Sequence, residues 1–196
     1  MKTPKLNLFY RKTRHGIFLV SAALHHPFLS AHQSNIISKW ELRFDPADLQ
    51  NTKYYDLCVS SLKSDSSSLK ADSKLGLALI MVRVGMANAT ATNSYISSQI
   101  LSVKNDTAPM RKVMRECADK YAFANDALQN CVQDLSSELY DYAYMHVMAA
   151  ADYPNACRNA FKRNPGLVYP QELAVREEGL KHICDVVLGI IDALGF

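Results

Sequence analysis

No glycine-rich phosphate loop, Gly-x-Ser-x-Gly elbow or Cys-x-x-Cys pair occurs in the 196 residues. The usual signatures of nucleotide binding, serine hydrolysis and dithiol redox chemistry are therefore missing. Histidine is scarce where it would matter: of six, His15, His25, His26 and His32 fall within the first 34 residues, leaving His146 and His182 for the body. A di-metal site in a helical bundle needs two Glu-x-x-His pairs and further inward glutamates. The nearest match, Glu178 with His182, is spaced four apart and has no counterpart. The simpler expectation is a partly buried His146, a surface His182, and acidic pairs such as Glu177 and Glu178 on a solvated helix face. Catalytic, cofactor-binding and metal-ligating residues are expected to be none, and an enzyme is not the expected class.

Acidic residues are absent from positions 1–34, which carry Lys2, Lys5, Arg11, Lys12 and Arg14. The formal charge of +3 misleads for that reason, because removing those five from 22 basic residues leaves 17 against 19 acids, a body near −2. Nucleic acid is not an expected partner, since phosphate binding wants a basic face on the folded domain. A basic stretch, an apolar run from Gly16 to Leu24 and small residues at Ser30 and Ala31 resemble a secretory signal in their order. Residues 1–34 are thus expected to be a leader, and the protein secreted. Beyond the leader no run approaches the roughly 18 residues of a membrane span, so the mature form is expected to have no membrane partner. The sequons at Asn88 and Asn105 are possible N-glycosylation sites in a secreted chain.

What the chain has in quantity is apolar side chains, 48% of its residues, set largely at helical spacing. Leu75, Leu79, Val82, Met86, Ala89, Asn93, Ile96, Ile100 and Val103 alternate four and three apart, which predicts one helix of about 30 residues. Asn93 interrupts that stripe and can set register by finding a buried partner. Asn105, Asp106 and Thr107 offer a cap, and Pro109 a first-turn residue, for a second helix. Its stripe is Met110, Met114, Cys117, Tyr121, Ala124, Leu128, Cys131 and Leu135. A third helix, from near Ser137, carries Leu139, Ala143, His146, Ala150, Tyr153 and Cys157, and Pro154 should kink or end it. After a loop over 162–171 a last helix follows, with Leu173, Leu180, Ile183, Val187, Ile190 and Leu194 on its stripe. Short connections imply antiparallel neighbours. The expected fold is all-α: an up-down-up-down four-helix bundle over 71–196, preceded by an N-terminal helical hairpin over 35–70, whose arms are residues 35–44 and Tyr54 to Leu62. If the second and third bundle helices run antiparallel, Cys117 can face Cys157 as a disulfide requires. Cys131 and Cys184 fall on or beside apolar stripes as free core thiols.

Tyr54-Tyr55-Asp56-Leu57-Cys58-Val59-Ser60-Ser61-Leu62, followed by Lys63-Ser64-Asp65, resembles a cysteine motif of the plant invertase inhibitor and pectin methylesterase inhibitor family. Glu116-Cys117 with Tyr121, Met148 to Ala151, Cys157-Arg158-Asn159-Ala160-Phe161, and Val187 to Ile191 recur in that family's order. The resemblance covers residues 50–196. It implies a four-helix bundle with an N-terminal hairpin, and Cys117 and Cys157 as the disulfide between the second and third bundle helices. The family's other disulfide joins an upstream cysteine to the position of Cys58, yet residues 40–57 contain none. Members cover the active-site cleft of a cell-wall enzyme without performing chemistry. By resemblance the chain is a secreted proteinaceous inhibitor of a plant cell-wall or vacuolar invertase; the alternatives are a pectin methylesterase inhibitor and a non-inhibitory structural or allergen-like bundle. No cofactor is implied. Tobacco-type invertase inhibitors insert a Pro-Lys-Phe motif near the turn between the second and third helices, and the corresponding stretch here is Tyr140, Asp141 and Tyr142. These are the candidate target contacts, with Tyr144 nearby. Tyr142 is expected to point outward, because Ala143 lies on the core stripe.

Overall fold

The computed structural model describes residues 54–64, 73–102 and 108–195. Among them all regular structure is helical: α1 (Tyr55–Ser64), α2 (Lys74–Ser102), α3 (Ala108–Ser136), α4 (Tyr140–Lys162) and α5 (Gln171–Asp192). The expected leader, the first hairpin arm at 35–44, the glycan candidate Asn105 and the cap at Asn105 to Thr107 lie outside the described residues. Helices α2 to α5 each pack on their neighbours in chain order, and α5 closes onto α2. The result is an up-down-up-down bundle, with α1 packed against α2 and α5. Lys74 at the start of α2 reaches Ala193 O, just past the end of α5, at 3.2 Å.

Helix α3 follows its sequence pattern most closely. From Met114 to Leu135 every residue of the expected stripe is buried, and only Met110 is half-exposed. Leu128 and Leu135 each contribute about 1.5–3 kcal/mol by leaving water. Cys117 bonds Cys157 of α4 with Cα atoms 4.6 Å apart. Cys58, Cys131 and Cys184 are buried free thiols. Burial pushes their pKa up, to about 11 for Cys58 and about 12 for the other two, which leaves little reactive thiolate. Cys58 therefore acts as a small apolar core residue.

Other expectations need correction. On α2 Val82, Ala89 and Ile96 are buried as expected, but so are Leu77, Ala78, Ile80, Met81, Gly85 and Thr92, whereas Leu75, Leu79, Met86, Asn93 and Ile100 are half-exposed. Packed by α1, α3 and α5, this helix buries a wide arc, and its nearly continuous apolar segment does not single out one face. For the same reason α2 is long and apolar enough to cross a membrane by length and composition, against the expectation from the sequence. In the fold those side chains form the core. Gly85 permits the close approach: a Cβ there would stand 3.1 Å from Leu128 Cδ1 and 3.4 Å from Ile183 Cγ2. Asn93 does find its partner, donating from Nδ2 to Ala118 O of α3 at 2.7 Å.

Helix α4 is not ended by Pro154, which lies inside it and is buried. The proline leaves the Ala150 carbonyl without its usual donor. Cys157, less than one turn further on, is bonded to α3, and Ala160 and Phe161 are buried beyond it. This packing holds the helix on course. The expected stripe is rotated: Val147 and Pro154 are buried, while His146 and Tyr153 are half-buried and Leu139 is 47% exposed. His182 is not a free surface residue either, because its ring stacks on Tyr54 with centroids 3.9 Å apart.

A non-reducing peptide map should show Cys117 linked to Cys157, with the other three thiols alkylated only after unfolding. The bond spans a sequence separation of 40, for which loop entropy gives about 4 kcal/mol. Reduction should lower the melting temperature while leaving the helix content of the folded protein unchanged, as circular dichroism would read.

Candidate functional site

Helix α3 ends and α4 begins within three residues, Ser137, Glu138 and Leu139. Glu138 N–H donates to Leu135 O at 3.2 Å and Leu139 N–H to Asp134 O at 2.9 Å. This is the paired bonding of a Schellman helix end, whose penultimate residue must adopt the left-handed region. Glu138 does so, with φ 59°. Glycine is the usual occupant, and a residue with a Cβ costs about 1–2 kcal/mol there. Leu139 is also the N-cap of α4, which has no side-chain cap but carries Asp141 in its first turn. That carboxylate complements the helix's positive end. Below the turn, His146 Nδ1 lies 2.6 Å from Asp134 Oδ2, joining the second turn of α4 to the last of α3.

This scaffold sorts the sequence-predicted contacts. Asp141 and Tyr142 face solvent, Tyr142 with 57% of its surface exposed. Tyr140 is half-buried and packs against the core, as Tyr144 does, so neither ring is a free anchor. Leu139, Met145 and Met148 are exposed alongside Tyr142. Spaced by threes, the four side chains form an oblique ridge on α4. They make up half of the exposed large hydrophobics among the described residues, which marks α4 as the apolar surface of the bundle. The methionines escape sequence analysis because a stripe drawn through His146 rather than Val147 misplaces the outer face. Glu138 and Asp141 flank the ridge with negative charge.

A second polar cluster holds the other half of α4. Glu177, expected on a solvated face, is 1% exposed. It occupies the place between Leu173 and Leu180 where the α5 stripe lacks an apolar member. Its Oε2 accepts from Arg158 Nε and from the Tyr169 hydroxyl, each at 2.9 Å, and its Oε1 from Lys181 Nζ at 2.7 Å. Burial works to raise the carboxyl's pKa, but the bonds from Lys181, Tyr169 and Arg158 outweigh it and hold the group below the ordinary range. Arg158 is raised, first by its hydrogen bond to Glu177. The cluster ties α4, the loop before α5 and α5 itself together, and Lys181 also reaches Asn155 Oδ1 at 2.5 Å. A cleft of about 600 Å³ opens over it, lined in part by Tyr54, Lys162, Glu178 and His182.

The glycan candidate Asn88 is half-buried on α2, against α5. Its Oδ1 is buried, and a Cβ added at Gly179 of α5 would stand 3.5 Å from its Nδ2, the atom a glycan would occupy. Thr90 of the same sequon lies 3.4 Å from Asn125 Oδ1. Among the described residues no group of three or more His, Cys, Asp or Glu could hold a metal ion.

Residues 50–190 match the family profile described as plant invertase/pectin methylesterase inhibitor. The Arabidopsis thaliana protein named cell wall / vacuolar inhibitor of fructosidase 2 is 54% identical over 145 residues, which cover 74% of this chain and 79% of that one. Pectinesterase inhibitor 28 of Oryza sativa subsp. japonica is 39% identical over 154 residues, 76% of this chain and 67% of the other. The crystal structure of a mutant form of a pectin methylesterase inhibitor from Arabidopsis superposes with a TM-score of 0.60 at 22% identity, covering 74% of this chain and 92% of that chain. It shares the helical bundle.

Two measurements follow from the buried polar groups. A carboxyl whose folded pKa is depressed contributes stability that is present above its unfolded value, about 4.3 for glutamate, and is lost as pH falls through the folded value. Thermal melts should accordingly show a decline below about pH 4 that Glu177→Gln flattens. At neutral pH the same variant should be less stable by about 1.5–3 kcal/mol, having lost its charge-assisted bonds. Mass spectrometry of the protein isolated from plant tissue should find the Asn88 peptide unmodified.

Proposed function

The chain belongs to the plant invertase/pectin methylesterase inhibitor family, and from that premise we propose that it inhibits a cell-wall or vacuolar invertase by laying the α4 ridge over the enzyme's active-site cleft. The observation that carries the choice of target is the much higher identity to the fructosidase inhibitor than to the rice pectinesterase inhibitor. A glycosidase acts through two carboxylates flanking the scissile bond in an open cleft, so excluding substrate is sufficient to stop it. That task needs shape and buried apolar area rather than chemistry. Tyr142 supplies a rigid ring at the start of the ridge, and interface energy concentrates on such residues. Met145 and Met148 extend it with side chains that adapt to an uneven surface. Because Tyr140 and Asp141 stand where a tobacco-type inhibitor has its proline and lysine, contact with a pair of enzyme carboxylates falls to the ring and the thioethers rather than to a cation.

The name of the Arabidopsis relative supports a location in the wall or vacuole. We place the mature protein in the apoplast, with residues 1–34 removed as a leader, 35–70 forming the hairpin and 71–196 the bundle.

Titration of the oxidised protein against a plant acid invertase and a plant pectin methylesterase tests this reading. Invertase should be inhibited and the esterase spared; the reverse result would reassign the target, and activity against neither would favour a bundle that has kept only its fold. Tyr142→Ala should weaken invertase inhibition about 10- to 100-fold. Full inhibition by that variant, with unchanged helix content, would remove the turn from the contact surface.

A further inference from the structure

We propose that the face of α3 running from Lys112 to Phe123, at the opposite end of the bundle from the α4 ridge, binds a carboxylated polysaccharide, a linear polyuronate chain. The cations are gathered there although residues 35–196 are net acidic: Arg111, Lys112 and Arg115 lie in the first two turns of α3, and Arg163 directly follows α4. The antiparallel seam brings the two groups together, as the contact of Arg163 with Glu116 shows. The first turn of α3 has no acidic residue, although a helix start favours one.

Three kinds of group line the face, and together they suit a uronate. A concavity of about 390 Å³ is bounded by Ala108, Arg111, Lys112, Arg115, Glu116 and Asp119. Lys112 and Arg115 are exposed and three residues apart, about 5–6 Å between their Cβ atoms, which suits single carboxylates repeated along a chain. Glu116 is held by Arg163, and the exposed Asp119 is placed to accept from a sugar hydroxyl. Further along, Phe123 is 46% exposed beside Tyr153, ring centroids 5.7 Å apart, with Lys120 Nζ 5.4 Å from its centroid. A half-exposed ring takes the C–H face of a pyranose, whose hydrogens are drawn to the negative face of the π system. Positions 112, 116, 119 and 123 share one side of the helix, and from first to last span about 16 Å. That accommodates several sugar units.

The oxidised full chain, passed over immobilised polygalacturonate, its fully methyl-esterified form and anionic phospholipid vesicles, tests the assignment. Retention on polygalacturonate alone is expected, with release at about 1 M salt, where screening acts within ~3 Å. The double variant Lys112→Gln, Arg115→Gln should bind about tenfold more weakly. Phe123→Ala should also weaken binding but leave the salt dependence unchanged. All these positions are exposed, and unchanged melting temperatures would confirm intact folds. No retention, equal retention on vesicles, or binding that Phe123→Ala leaves untouched would each overturn the proposal, the last by reducing it to ion exchange.

Discussion

The antiparallel seam between α3 and α4 positions nearly everything that bears on function, because it is fastened at both ends by different means. Near the start of α3 the fastening is covalent, through Cys117 and Cys157. At the other end it is the three-residue Schellman turn together with the contact between His146 and Asp134. Between them lies an apolar stripe of α3 with no described position wasted from Met114 to Leu135. With the seam fixed, α2 and α5 have one way to complete the core, and Asn93 and Glu177 confirm the register by meeting partners on neighbouring helices. A well-packed apolar side chain in the place of Glu177 would stabilise the core as well, since the desolvation of a buried charge offsets much of what its bonds contribute. Each of the two polar groups makes alternative registers costly, since a slipped helix would strand an amide or a carboxylate in the core.

Pro154 shows how the same seam tolerates local defects. A proline inside a helix usually costs about 3 kcal/mol or more. Here the following residues are held by the disulfide, by Phe161 in the core and by Arg158 on Glu177, so the helix resumes in line. Tertiary packing overrides a local signal because several independent contacts lie within two turns of the defect.

The legibility of the chain followed the same division. Helix α3 has one apolar face, and its stripe could be read directly from spacing; α2 is apolar nearly all round, so spacing could give its length but not its orientation. The turn and the outward Tyr142 were accessible because Ala143 marks the core side. Glu177 was not, since its partners come from α4, a loop and its own helix, and no periodicity links Arg158 and Tyr169 to it. The gap in the α5 stripe was the available signal: a charged residue in an apolar position is either an error in the assumed face or a buried ion pair. Asn88 illustrates a motif whose surroundings are set by packing, for a sequon carries no information about the helix that lies beside it.

The brevity of the α3–α4 connection has a thermodynamic side. Leu139 ends one helix and begins the next, so the backbone that carries Tyr142 has no hinge. Association usually costs free energy for ordering loops and side chains at the contact. A ridge on the first turns of a clamped helix has already given up that freedom during folding, at the expense of a left-handed glutamate. Whatever surface it meets is met by a fixed shape, and affinity is then decided by complementarity rather than by how much of the inhibitor must first become ordered.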